Sequence, residues 1–171
     1  MDVIASESRV ILETAPRGLL AAAAHDLRIE APIASGESPD GVRCTARFSV
    51  SAMKVIASKR HGTSDWHDPN DKDAKDIESR IRDEAFAGVR EVVVEGSLPK
   101  DATRASITVR AQSTQKIDVN VNVKREGDKT RVTGSCDLSL HALGTGRIHV
   151  PLGAIKLDDR VAVTFEIVLS A

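Results

Sequence analysis

From Ile117 to Lys124 every odd position is apolar, Ile117, Val119, Val121 and Val123, and the even ones are Asp118, Asn120, Asn122 and Lys124. Successive side chains of a strand point to opposite faces, so this stretch makes a ribbon that is dry on one side and wet on the other. The same parity returns at Val42, Cys44, Ala46, Phe48 and Val50, and again at Val161, Val163, Phe165, Ile167 and Leu169. A chain written this way buries one face of an antiparallel sheet and shows water the other. Eight runs are predicted as strands: 8–14, 26–33, 42–50, 91–97, 104–111, 116–125, 130–140 and 160–170. Between the second and third, residues 35–41 read Ser-Gly-Glu-Ser-Pro-Asp-Gly, which predicts a turn; Gly127-Asp128 predicts a tighter one.

The period changes once. Between Asn70 and Phe86 the apolar residues Ala74, Ile77, Ile81 and Ala85 fall three or four apart, which predicts one helix packed by a single stripe. Asn70 or Asp71 can cap its start. Asp73 suits the positive end of the helix dipole, and Arg80 and Arg82 suit the other. Residues 59–69 before it form a long polar loop, expected to be mobile or functional.

The last run has a continuous apolar face, and left at a sheet edge it would invite pairing with another chain. Pairing it with the first run removes that hazard and predicts a closed eight-stranded antiparallel β-barrel. Such a barrel holds either packed side chains or one small ligand. Many inward positions are small, among them Ala31, Cys44, Ala46, Ala111, Gly134 and Cys136. Unfilled dry volume costs stability unless something occupies it, so a cavity is expected rather than a filled core. The wall residues expected to bind are Cys44, Ala46, Phe48, Val119, Val121, Cys136, Leu138, Phe165 and Ile167.

At 171 residues the chain is read as one domain, 1–171, able to bury a core without staples. A net charge of −1 offers no basic footprint for nucleic acid. Aromatic residues are 2% and Tyr is absent, so Val, Ile, Leu and Ala must build the interior. Cys44 and Cys136 fit a reduced interior pair better than a secreted disulfide framework. Met1 to Glu13 carries Asp2, Glu7 and Glu13 where an export signal has basic and then apolar residues, and no run approaches the ~20 apolar residues of a membrane helix. A cytoplasmic location is expected.

Catalytic and metal-binding readings are weaker. His61, Asp65, His67 and Asp68 are ligand types for a divalent metal, yet no helix fixes their spacing, and polar loops often collect such residues, so a solvated loop is the expected reading. His141 and His149 flank Gly144 and Gly146. As an acid–base pair they need a carboxylate or nucleophile in the cavity, whereas Asp118, Asp137 and Glu166 fall on the outer parity. Neither a Gly-x-Ser-x-Gly elbow nor a phosphate-binding glycine loop occurs. No catalytic residue, metal or cofactor is assigned.

Three stretches resemble the YceI-like family of lipocalin-like domains associated with polyisoprenoid or other lipid binding. They are Gly18-Leu19-Leu20 through His25-Asp26-Leu27, Asp73 to Phe86 with Asp76-Ile77-Glu78 and Arg82-Asp83-Glu84, and Pro151-Leu152-Gly153-Ala154-Ile155-Lys156 followed by Asp158-Asp159-Arg160-Val161. The resemblance spans nearly the whole chain. It implies a lipocalin-like barrel with one α-helix packed beside it and an apolar tunnel for a prenyl chain; His25, in the matching stretch, is a candidate for the tunnel mouth, with a paired structural histidine the more common reading. The chain departs from the family at Ala111-Gln112-Ser113-Thr114-Gln115-Lys116, where members often have a glycine-containing turn.

The expected function is therefore non-catalytic carriage of a long-chain isoprenoid or similar lipid, with no stable membrane insertion; a homodimer is the one assembly considered. An isomerase or cyclase using a cavity histidine, or a structural protein with a filled barrel, are the alternatives. Carriage makes a quantitative demand. A buried CH₂ contributes about 0.8 kcal/mol and a five-carbon isoprene unit roughly 4 kcal/mol, against an association cost of about 4–15 kcal/mol. Affinity must then climb steeply with chain length.

Overall fold

A computed structural model describes residues 1–17, 24–97, 103–145 and 156–170. In chain order its strands are β1 (Arg9–Thr14), β2 (Pro16–Arg17), β3 (His25–Glu30), β4 (Ile33–Glu37), β5 (Arg43–Ser49) and β6 (Lys54–Arg60). Helix α1 (Asp71–Arg80) follows, then β7 (Glu91–Ser97), β8 (Arg104–Arg110), β9 (Thr114–Glu126), β10 (Lys129–Ser139), β11 (Lys156–Leu157) and β12 (Arg160–Ser170). Ten of the strands form one curled antiparallel sheet in the order β4-β5-β7-β8-β9-β10-β12-β1-β3-β6, while β2 and β11 pair separately. The parity of residues 117–123 is realised in β9, where Val119 and Val121 are buried and Asp118, Asn120 and Asn122 are exposed.

The first and last long strands do pair, Val10 opposite Phe165 and Leu12 opposite Val163. That pairing does not close the sheet, because β1 continues onto β3 and β3 onto β6. The expected closed eight-stranded barrel is thus corrected to a ten-stranded sheet with edges at β4 and β6, between which no ladder runs among the described residues. The reason is local. The run predicted over 26–33 breaks at Ala31-Pro32, where proline lacks the ladder donor, and resumes as β4 at the other end of the sheet. The run predicted over 42–50 likewise ends in a helical turn, Val50–Ala52, and continues as β6. Residues 35–37, expected in a turn, belong to β4, and residues 59–60, expected in a loop, belong to β6.

Both edges are covered. Along β4, the Val3 N–H donates to the Gly36 carbonyl and the Ser38 N–H to the Met1 carbonyl (3.1 and 2.8 Å). The same leading segment reaches β12, where the Ile4 N–H donates to the Val168 carbonyl and the Ser170 N–H to the Asp2 carbonyl (2.8 and 2.9 Å). Val3 passes so close that a Cβ on Gly36 would lie 2.5 Å from its Cγ2, which only glycine avoids. Along β6, Glu78 of α1 accepts the Val55 N–H (3.1 Å) and binds the Lys54 ammonium, and Ser58 exchanges backbone hydrogen bonds with His67. Covered edges resist pairing with a second chain.

Helix α1 is placed as its sequence predicts. Asn70 caps it, its Oδ1 accepting the Asp73 N–H at 2.9 Å. A wider helical turn, Ile81–Ala85, follows and buries Ile81 and Ala85, while Ala74 and Ile77 pack on the same apolar core.

Candidate functional site

The curled sheet encloses an apolar lumen of about 200 Å³. All nine wall residues expected from parity line it: Cys44, Ala46 and Phe48 from β5, Val119 and Val121 from β9, Cys136 and Leu138 from β10, and Phe165 and Ile167 from β12. Opposite residues of a ladder share a face, and the register delivers them together, with Cys136 across from Val163 and Gly134 across from both Phe165 and Val121. Cys44, Cys136, Leu138, Phe165 and Ile167 remain only half-buried although they point inward. Their exposed surface faces the lumen, so the space is hollow, not plugged.

The extent of the lumen follows from strand geometry. Val163 and Leu169 of β12 both line it, and six residues of strand span about 20 Å. About 200 Å³ drawn out over that length is a narrow channel. Met53, Phe86 and Leu143 line the part beside the helical turn; Gly41, Ser97 and Leu169 line the other. Leu143 is 2% exposed. It is held by a turn in which Asp159 accepts the His141 N–H and the Ser139 hydroxyl, both at 2.7 Å.

Electrostatically the lumen is almost featureless. Among its described lining residues only Ser97 carries a side-chain nitrogen or oxygen. Burial pushes both thiols up, Cys44 without a nearby charge and Cys136 up to about 11, with the Asp137 carboxylate adding to the effect. A thiol raised this way is a weak nucleophile at neutral pH. The two cysteines are free.

The polar residues considered from sequence stand elsewhere. His25 and His141 are exposed and neither lines the lumen, so the structure does not place His25 at a tunnel mouth. Asp118 and Asp137 are exposed, and Glu166 pairs on the outside with Arg131. The 61–70 loop is fastened to the outer face of β3 and β6. His61 Nδ1 meets Asp26 Oδ1 at 2.6 Å, and the Trp66 ring takes the Arg28 guanidinium at 4.1 Å and the Lys59 ammonium at 5.0 Å. Among the described residues no three His, Cys, Asp or Glu side chains group to hold a metal. A second groove beside Trp66 is lined by the ion pairs Lys59–Asp26 and Arg160–Asp137 together with Asp158 and with Glu13, which pairs with Arg28. His149, Gly146 and the stretches 18–23 and 151–155 lie outside the described residues.

Parity missed part of the wall. Met53, Phe86 and Leu143 come from turns and helical segments, where no two-residue period marks the inward side. Val92, Val94, Ile107 and Val109 do carry the period, and the same rule applied to β7 and β8 finds them.

The described residues thus form an elongated, curled antiparallel sheet around an apolar channel, with a helix beside it. Two solved structures share this fold along essentially the whole chain. A polyisoprenoid binding domain from Saccharophagus degradans, described as implicated in plant cell wall breakdown, is 12% identical with a TM-score of 0.69, covering 99% of this chain and 97% of its own. BcnA of Burkholderia cenocepacia is 13% identical with a TM-score of 0.57, covering 99% of this chain and 100% of its own. No protein-family profile and no curated protein matches the sequence. The likeness is one of fold.

Proposed function

We propose that this protein binds or carries a long apolar ligand, a polyisoprenoid or similar lipid, in the lumen without chemical turnover. The observation that carries the proposal is the channel itself: about 200 Å³, apolar on every side except at Ser97. An engineered apolar cavity of about 150 Å³ stays dry and takes up benzene, so a larger one is a competent site. Leaving such a space unfilled costs on the order of 5 kcal/mol at about 24 cal/mol per Å³, and an apolar chain recovers that energy. The fold shared with a polyisoprenoid binding domain supports the same class of ligand. No lumen residue among those described offers a carboxylate or imidazole for proton transfer, which favours carriage over isomerase or cyclase chemistry. Two free, inward thiols fit a reducing compartment, and we place the protein in the cytoplasm.

The test is organic extraction of the purified protein followed by mass spectrometry, with titration of C10, C20 and C40 prenyl alcohols. A copurified prenyl or acyl chain, and affinity rising steeply with length, are expected. Equal affinity for C10 and C40 alcohols, or no uptake of either, overturns the proposal.

A further inference from the structure

Gly134 stands in the middle of β10 on the same parity as Val132 and Cys136 of the lumen wall, directly across from Phe165 on β12 and Val121 on β9. A Cβ built on Gly134 would stand 2.5 Å from Phe165 Cζ and 3.1 Å from its Cε1. The tip of the phenyl ring therefore occupies the place a side chain at 134 would take. The ring tip covers the glycine as an aromatic neighbour covers a glycine in other sheets. The ring also joins the two halves of the interior, packing on the cluster around Val119 and Val132 and on the larger one around Val163. Lining residues continue on both sides of it along β12, Val163 before and Leu169 beyond, so a chain filling the channel must pass this ring.

We propose that the Gly134–Phe165 pair sets the bore of the lumen: glycine gives the ring a recess in the wall, and the recess keeps the passage open to long chains. The inference rests on the proposed binding of an apolar chain. Any side chain at 134 evicts the ring. The wall beyond is closed by backbone, with the Asn120 carbonyl 2.8 Å from the same built Cβ, so the ring turns toward the channel axis. A short chain lodged on one side of the ring is unaffected, whereas a long one loses its path.

The experiment compares C10 and C20 prenyl alcohols on the wild-type protein, Gly134→Ala and Gly134→Ala/Phe165→Ala by fluorescent-lipid displacement. Gly134→Ala is expected to weaken the C20 alcohol at least about tenfold, the effect of leaving two methylene groups in water. The C10 alcohol should hold within about twofold, and removing the ring in the double variant should restore C20 binding. The crowding by the Asn120 carbonyl can keep Gly134→Ala from folding. Phe165→Trp on the native glycine then serves, since an indole overfills the recess and should give the same selective loss. If both alcohols weaken together, or neither changes, or the double variant stays impaired, the inference is overturned while wild-type binding stands. If the wild-type protein binds neither alcohol, the carriage reading falls and takes this inference with it.

Discussion

Cys136 points into the lumen from β10 with its thiol pushed up to about 11, first by burial and then by the neighbouring Asp137 charge. At neutral pH its thiolate is a fraction on the order of 10⁻⁴, so alkylation by iodoacetamide should be slow and gain about tenfold per pH unit until the thiol titrates. Asp137→Asn should speed it, and a bound prenyl alcohol should suppress it; fast labelling indifferent to the alcohol would show that the side chain does not face the channel. Leu143, 2% exposed, packs beside the helical turn, and Leu143→Ala should cost about 2–5 kcal/mol in denaturant unfolding. Much of this was legible residue by residue. Strict alternation put Val119, Val121, Phe165 and Ile167 on the wet-free face, and the structure places all four in the wall. Leu143 was not legible, because it sits in a turn whose side-chain directions follow hydrogen bonds to Asp159 rather than a period.

At the scale of elements, the turn after β10 depends on the ionised Asp159 carboxylate. The His141 N–H and then the Ser139 hydroxyl hold its pKa below the usual range. A depressed pKa stabilises the fold above the unfolded value, near 4, and that stabilisation is lost as pH falls through the lower folded value. Asp159→Asn should therefore be less stable than wild type at about pH 7, with the gap narrowing as pH falls below about 4 in parallel melts; a constant gap would contradict the assignment. The leading segment covers the β4 edge and the outward-facing Val168, which is fully buried. Removing residues 1–4 should expose both and produce dimers or larger species on a sizing column. Here the sequence was less readable. Strand β6, Lys-Val-Ile-Ala-Ser-Lys-Arg, does not alternate cleanly, and its neighbours are what make it a strand. Strand β4 carries turn chemistry at Gly36, whose real purpose is the close passage of Val3.

For the whole molecule, curvature, covered edges and an apolar axis are one design. Parity alone specifies an inside and an outside. Whether the inside is full depends on the sizes of residues meeting from distant strands, such as Gly134 under Phe165, and on where Pro32 lets the chain change position in the sheet. Small inward residues predict a cavity from sequence, but its course and bore depend on those long-range meetings. The chain has a single Trp and no Tyr. That indole is stacked with Arg28 and Lys59 on the outer surface, and it is absent from the lumen wall. Intrinsic emission should accordingly report loss of the native state, through release of the two stacked cations, yet stay constant in wavelength and intensity while the channel loads. A spectral change on adding a prenyl alcohol to the folded protein would mean that cargo reaches the exterior of β3 and β6.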